Sequence, residues 1–157
     1  MPVLSHLDAR GKARMVDVGE KPVSEREALA SARVAMRPAT RKLLLAGKLP
    51  KGDVFTVAKT AAIMAAKRTG EWIPMCHNIP LDLVEIRFEP APRGVRVLAR
   101  VRTHARTGAE MEALTAAAAA CLTVYDMCKS ADRDMSIGDL QLLEKKGGRS
   151  GHYRRGR

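Results

Sequence analysis

The sequence predicts an α+β fold: a ferredoxin-like antiparallel sheet with helices packed on one face, plus one extra helix. Three observations carry that expectation. Segments of period 2 and segments with a helical apolar stripe follow one another in the order β-α-α-β-β-α-β, a β-α-β-β-α-β unit with a helix inserted. The chain has 157 residues and no internal repeat, which suits one hydrophobic core. Its 46% hydrophobic and 29% charged residues are globular proportions, while 3% aromatics leave Ala, Val, Leu, Ile and Met to build that core.

Each element has its own reason. Residues 1–22 mix Gly11, Gly19 and Pro22 with the short apolar run Met15–Val18, and read as an N-terminal arm with one possible edge strand. Residues 23–151 form the expected α+β domain, and 152–157 a basic C-terminal tail expected to fray. Ser24 to Glu27 has the spacing of a helix capping box, yet Ala28, Ala30, Ala32, Val34 and Met36 alternate with more polar neighbours. The alternation favours a strand over 27–37. Pro38 suits the first turn of a helix over 38–46, closed by Gly47.

Asp53 can cap a helix over 53–69 whose stripe is Val54, Val57, Ala58, Ala61, Met64 and Ala65, with Gly70 as the stop. Residues 83–89 and 95–102 alternate around Pro90–Gly94 and read as a hairpin. Residues 110–129 make the strongest helix, acidic at its start and alanine-rich beyond; a helix apolar nearly all round is buried in the core or against another subunit. Residues 137–143 read as the last strand. The uncovered sheet face then needs cover, which oligomerisation supplies.

Charge narrows the partners. Lys and Arg number 28 against 17 Asp and Glu, a net +11 that favours nucleic acid, a membrane surface or a phosphorylated small molecule. No secretory signal pattern opens the chain, and the uncharged run Ala113–Tyr125, 13 residues, is too short to span a bilayer. The expectation is therefore a cytoplasmic protein without membrane contact. Cys76, Cys121 and Cys128 form no C-x-x-C pair, so no zinc site is indicated. Single-strand nucleic-acid binders set aromatics beside a basic groove, and here the five aromatic residues are scattered. A basic RNA-binding module remains only the rival reading.

Five stretches can carry chemistry, each with an ordinary alternative. Asp126 and Lys129 share a helix face where an uncharged helix emerges; the alternative is a surface ion pair. Lys51-Gly52 precedes a helix start, where free N–H groups attract anions; the alternative is a solvated lysine beside a capped helix. Cys76 and His77 are neighbours in an irregular segment and point apart, so a shared metal or a Cys–His nucleophile is disfavoured. His77 can bind substrate or carry a proton, or be structural. Lys145 to Gly151 is a flexible cationic loop without the P-loop order; the alternative is a frayed basic tail. Glu110 and Glu112 open the long helix, as its dipole alone would favour.

Taken together and in order, Lys51-Gly-Asp-Val-Phe55, Ala66-Lys67-Arg68-Thr69, Cys76-His77, Glu110-Met-Glu-Ala-Leu-Thr115, Tyr125-Asp-Met-Cys-Lys129 and Lys145…Gly147-Gly148-Arg149-Ser150-Gly151 form a specific set. With them the chain closely resembles the cyclic pyranopterin monophosphate synthases, the molybdenum cofactor biosynthesis protein C family, from about Ser5-His6 through Gly151. The resemblance implies a ferredoxin-like subunit in a homohexamer, a trimer of dimers, with active sites at subunit interfaces. It implies a lyase that rearranges a 3′,8-cyclised dihydroguanosine 5′-triphosphate into cyclic pyranopterin monophosphate and pyrophosphate, without redox cofactor or catalytic metal.

Carried over, Lys51, Asp126 and Lys129 are the implied catalytic residues. Met75, Cys76, His77, Glu110, Met111, Glu112, Lys67, Lys145, Arg149 and Arg26 are implied to bind substrate. On this reading Lys51, Lys67, Lys145 and Arg149 hold the triphosphate, Asp126 and Lys129 exchange protons, and His77 and Glu112 orient the base or share protons. Two positions depart from the family pattern. Asn78 stands where proline is usual, and Arg149 where lysine is usual.

Overall fold

The computed structural model describes residues 6–156; Met1–Ser5 of the arm and Arg157 of the tail lie outside the described residues. Nine elements follow in chain order: β1 (Ser24–Ala35), α1 (Pro38–Leu45), α2 (Val54–Lys67), α3 (Thr69–Trp72), β2 (Leu83–Ala91), β3 (Gly94–Ala105), α4 (Glu110–Cys128), β4 (Ser136–Lys146) and β5 (Tyr153–Arg154). The strands form one sheet in the order β2-β3-β1-β4-β5, antiparallel throughout. Its first four strands have the ferredoxin-like arrangement, and α2 and α4 cover one face.

The alternation in β1 decides that face. Ala28, Ala30, Ala32 and Val34 point inward and stand opposite Val101, Ala99, Val97 and Val95 of β3, all buried. Most of these side chains are small, so the helices come close to the sheet. Ala58, Ala62 and Ala66 of α2 meet a similar alanine surface on α4, where Ala113, Ala116, Ala117 and Ala120 are buried. Phe55 and Phe88 pack on each other at the rim with ring centroids 4.8 Å apart.

Pro38 begins α1, whose Arg41 ties it to the hairpin by donating to the Ala91 carbonyl at 2.8 Å. Asp53 caps α2 by accepting from the Thr56 N–H at 3.0 Å. α4 is 19 residues long and apolar enough, by length and composition, to cross a membrane, although its uncharged run is shorter. Here more than half of it is buried within the fold, against α2 and the sheet.

Five expectations change. The inward face of α2 is Val54, Ala58, Ala62 and Ala66 and not the expected stripe, whose Val57 and Met64 are exposed, because the close packing on α4 takes the row of alanines. Gly70 does not stop α2, which ends at Lys67; Thr69 then turns back on it, its hydroxyl donating to Ala65 and Ala66 carbonyls, and α3 adds one turn. Met15–Val18 forms no strand; the arm instead folds on an Asp8 side chain that accepts from two backbone N–H groups, with a single bridge from Leu7 to Ala13. Tyr153 and Arg154 do not fray but add β5 to the sheet edge. Finally, the sheet face away from the helices is no bare apolar surface. Arg100 bridges Glu27 and Glu85, Arg87 pairs with Glu85, and Lys146 reaches Glu27, a charged lattice around Leu29 and Leu98 that water tolerates.

Candidate active site

The residues singled out by sequence gather in two clusters at opposite ends of α4. At its C-terminal end, Asp126 accepts from Lys129 Nζ at 2.7 Å, and Lys51 Nζ lies 3.6 Å from the other carboxylate oxygen. The Lys51 ammonium also donates to the Asp126 main-chain carbonyl at 3.0 Å, so it occupies the negative end of the helix. Gly52 and the Asp53 cap set the turn that aims Lys51 there. The hydrogen bond from Lys129, then the charges of Lys129 and Lys51, hold the Asp126 carboxyl below its ordinary range. At neutral pH it is a carboxylate held between two cations, which lower its proton affinity and fix its position. All three side chains are about half exposed in the single chain.

At the other end, the segment after α3 faces the first turn of α4. Met75, Cys76, His77, Glu110, Met111 and Glu112 line a cleft of about 320 Å³, closed on the far side by His6, Val16, Val18 and Lys21 of the arm. Glu112 is buried, and that burial, helped by the neighbouring Glu110, raises its carboxyl to about 7 against a bond from its own backbone N–H. Burial raises the Cys76 thiol, with Glu112 and Glu110 adding to the effect. The thiol stays protonated, so Cys76 lines the cleft and is no nucleophile. Asn78, where proline was expected, lies against Gly70 of α3, a contact that a Cβ at Gly70 would block. The chain after His77 is held by packing where a proline ring would hold it by geometry.

A second hollow of about 490 Å³ adjoins this cleft, lined by Lys21, Ser24, Arg26, Gly148, Arg149 and Ser150. Arg26 is anchored from below: its guanidinium donates to the Ala105 and Arg106 carbonyls at 3.1 and 3.2 Å. Gly147 and Gly148 both have positive φ, and Gly147 lies so close to the Glu25 carbonyl that any side chain there would collide, while one at Gly148 would displace the Arg26 guanidinium. Lys145 is mostly buried, 3.7 Å from Glu110 and hydrogen-bonded to Ser150, and so joins the two hollows.

Lys67 does not join either group; it stands exposed in the last turn of α2. Lys21 does join, lining both hollows, and nothing in its sequence context marked it beyond being a lysine in the arm. Another hollow of about 490 Å³ beside the β2–β3 turn, around Arg37, Arg93 and Asp132, holds none of the motif residues. Among the described residues, no three His, Cys, Asp or Glu side chains gather as a metal site would require.

The two clusters are far apart. From Glu112 to Asp126 the helix advances about 20 Å at ~1.5 Å per residue.

Comparison with known proteins gives a consistent result. The profile of the MoaC family matches residues 15–148. The chain is 56% identical over 157 residues to a cyclic pyranopterin monophosphate synthase of Thermomicrobium roseum, covering 99% of this chain and 95% of that protein. It is 54% identical over 154 residues to the protein of that name from Chloroflexus aggregans, covering 97% and 93%. The same name and 54% identity hold for a Pelotomaculum thermopropionicum protein, covering 99% and 92%.

Proposed function

The chain belongs to the MoaC family, and from that premise we propose how its residues divide the work. The enzyme is a lyase of molybdenum cofactor biosynthesis. It converts the 3′,8-cyclised dihydroguanosine 5′-triphosphate into cyclic pyranopterin monophosphate and releases pyrophosphate. The observation that carries the site reading is the meeting of Lys51 with Asp126 and Lys129, residues far apart in sequence.

The cleft of Met75, Cys76, His77, Glu110, Met111 and Glu112 takes the purine-derived ring system. A neutral Glu112 carboxyl can donate a hydrogen bond to it, and His77 can accept or return a proton. Arg26, Lys145 and Arg149 take the triphosphate, with Lys21 where ring and phosphates join; several cations suit a group carrying roughly −4. Lys67, exposed on α2, reaches the phosphates of a neighbouring site if it contributes. Asp126 and Lys129 exchange protons while the purine-derived ring opens and the pterin ring closes. A ribose-derived hydroxyl then forms a bond to the α-phosphorus, the bond to the bridging oxygen of the β-phosphate breaks, and pyrophosphate leaves with that electron pair. The surrounding cations neutralise its charge.

Because the two clusters lie about 20 Å apart along α4, the working site takes one cluster from each of two subunits. The outer surface of the helical layer supports such a pairing: Val57 and Met64 of α2 and Leu122 of α4 are 46%, 50% and 62% exposed. A two-fold axis across that face, with α4 running against its copy, sets the C-terminal end of one beside the N-terminal end of the other. Three such pairs make the homohexamer. The rival RNA-binding reading loses support because Phe55 and Phe88 are spent on each other at the rim of the core.

Incubation with the cyclised GTP intermediate tests the assignment. Wild type releases pyrophosphate, whereas Lys51→Ala and Lys129→Ala do not; normal turnover by either variant removes these lysines from the mechanism. Mixing tests the shared site. Lys51→Ala and His77→Ala subunits, each inactive, regain about a quarter of wild-type activity after equal mixing and reassembly, because half the pairs are mixed and each has one intact site. No recovery means that each site comes from a single chain.

A further inference from the structure

The loop from Lys146 to Gly151 presents a physical problem that the residues after it solve. Gly147, Gly148 and Gly151 give it three positions of positive φ, and glycine-rich backbone samples many shapes unless something closes it. Here both of its ends are closed. Tyr153 and Arg154 pair with Lys145 and Glu144 as β5, and the Arg155 N–H donates to the Leu143 carbonyl at 2.8 Å. The His152 ring lies 2.6 Å from the Glu144 carboxylate, an ion pair across the mouth of the hairpin when the ring is charged. Within the loop, the Gly151 N–H donates to the Gly148 carbonyl at 3.1 Å.

The side that these contacts fix is the side the hollow uses. Tyr153 stands directly across the ladder from Lys145, and directly opposed residues share one face of a sheet. Ser150, which meets the Lys145 ammonium, and Arg149, which lines the hollow, both lie between the two closed ends. Glu144 supports the pin from the β4 side: the bond from His152, then the charges of Lys146, His152 and Arg154, hold its carboxyl below the ordinary range.

We infer that His152–Arg155 is a positioning element, a strand that clamps the Lys145–Gly151 loop into its phosphate-holding shape before substrate arrives. None of its residues needs to touch substrate. The inference rests on the reading of this loop as the triphosphate site, and it gives the C-terminal strand a function in binding. A loop ordered in advance binds tighter than one ordered by its ligand.

The test compares three forms of the otherwise full chain: one ending at Gly151, His152→Ala, and His152→Gln, which keeps a donor near the Glu144 carboxylate. In the truncated form, hydrogen exchange at residues 147–151 speeds up while β1 and α4 keep their protection. Inorganic tripolyphosphate, measured by calorimetry, binds about ten-fold more weakly, and KM for the cyclised substrate rises by a similar factor with kcat within about two-fold. His152→Ala lies between the truncation and wild type, and His152→Gln restores most of the loss. Unchanged loop exchange overturns the clamp and leaves the phosphate assignment standing. Faster exchange with unchanged tripolyphosphate affinity overturns the phosphate role of the loop, and the positioning role with it.

Discussion

Glu112 shows how one side chain can be committed by its surroundings. It sits in the first turn of α4, where the dipole favours a carboxylate, yet burial prevails and lifts its titration to about 7. The sign of the linkage follows. Below the unfolded value near 4.5 both states hold the proton, and Glu112 has no pH effect on stability. Between about 4.5 and 7 the unfolded chain has released that proton while the folded protein still holds it, so stability falls with rising pH; above about 7 both have released it and stability stays at the lower level. Glu112→Gln therefore melts a few degrees above wild type at pH 8 and close to wild type at pH 4.5, as calorimetry can measure. Its KM stays close to wild type, because the amide still donates the hydrogen bond assigned to the neutral carboxyl. Asp126 behaves oppositely: its lowered carboxyl contributes stability at neutral pH that is lost as pH falls through the folded value.

Among the elements, α2 and α4 depend on small residues more than on large ones. Ala62 of α2 is fully buried in the core that both helices share, a packing with no room for added atoms. Ala62→Leu should cost about 1–3 kcal/mol through overpacking, read as a lower melting temperature with near-wild-type helix content at 20 °C. The exposed Val57, four residues past the cap, should accept the same change with little effect in a single chain. The helical period of α2 was legible, but neither its inward face nor its end was: Val57 and Met64 of the expected stripe are exposed, and Val54, Ala58, Ala62 and Ala66 are the buried row. Gly70 looked like a stop, whereas the Thr69 hydroxyl and the Asn78 side chain over Gly70 continue the chain into α3. Those contacts come from residues that no local rule connects.

For the whole molecule, the net +11 is partly a binding surface and partly solvated charge. Arg26, Lys21, Lys145 and Arg149 converge on connected hollows, Lys51 and Lys129 flank one carboxylate, and Arg100 and Arg87 are consumed by the sheet lattice. The proposed subunit pairing is testable at this scale. Leu122→Glu, on the exposed face of α4, should shift the sizing profile from a hexamer towards the 17.1 kDa chain, with circular dichroism unchanged and activity lost. An intact hexamer would remove that face from the interface.

By itself the sequence determined the order of every element but α3 and β5, the inward alanine and valine faces of β1 and β3, the helix starts at Pro38 and Asp53, and the motif residues. Each of these is a local property: side-chain period, a missing N–H, a short carboxylate beside free donors. Only the tertiary structure decided which motifs meet. It placed Lys51 beside Asp126, brought Lys21 of the arm to both hollows, and turned an unremarkable tail into β5. Such meetings depend on sheet order and helix direction, and a charged side chain carries no sign of the distant partner that chain folding brings to it.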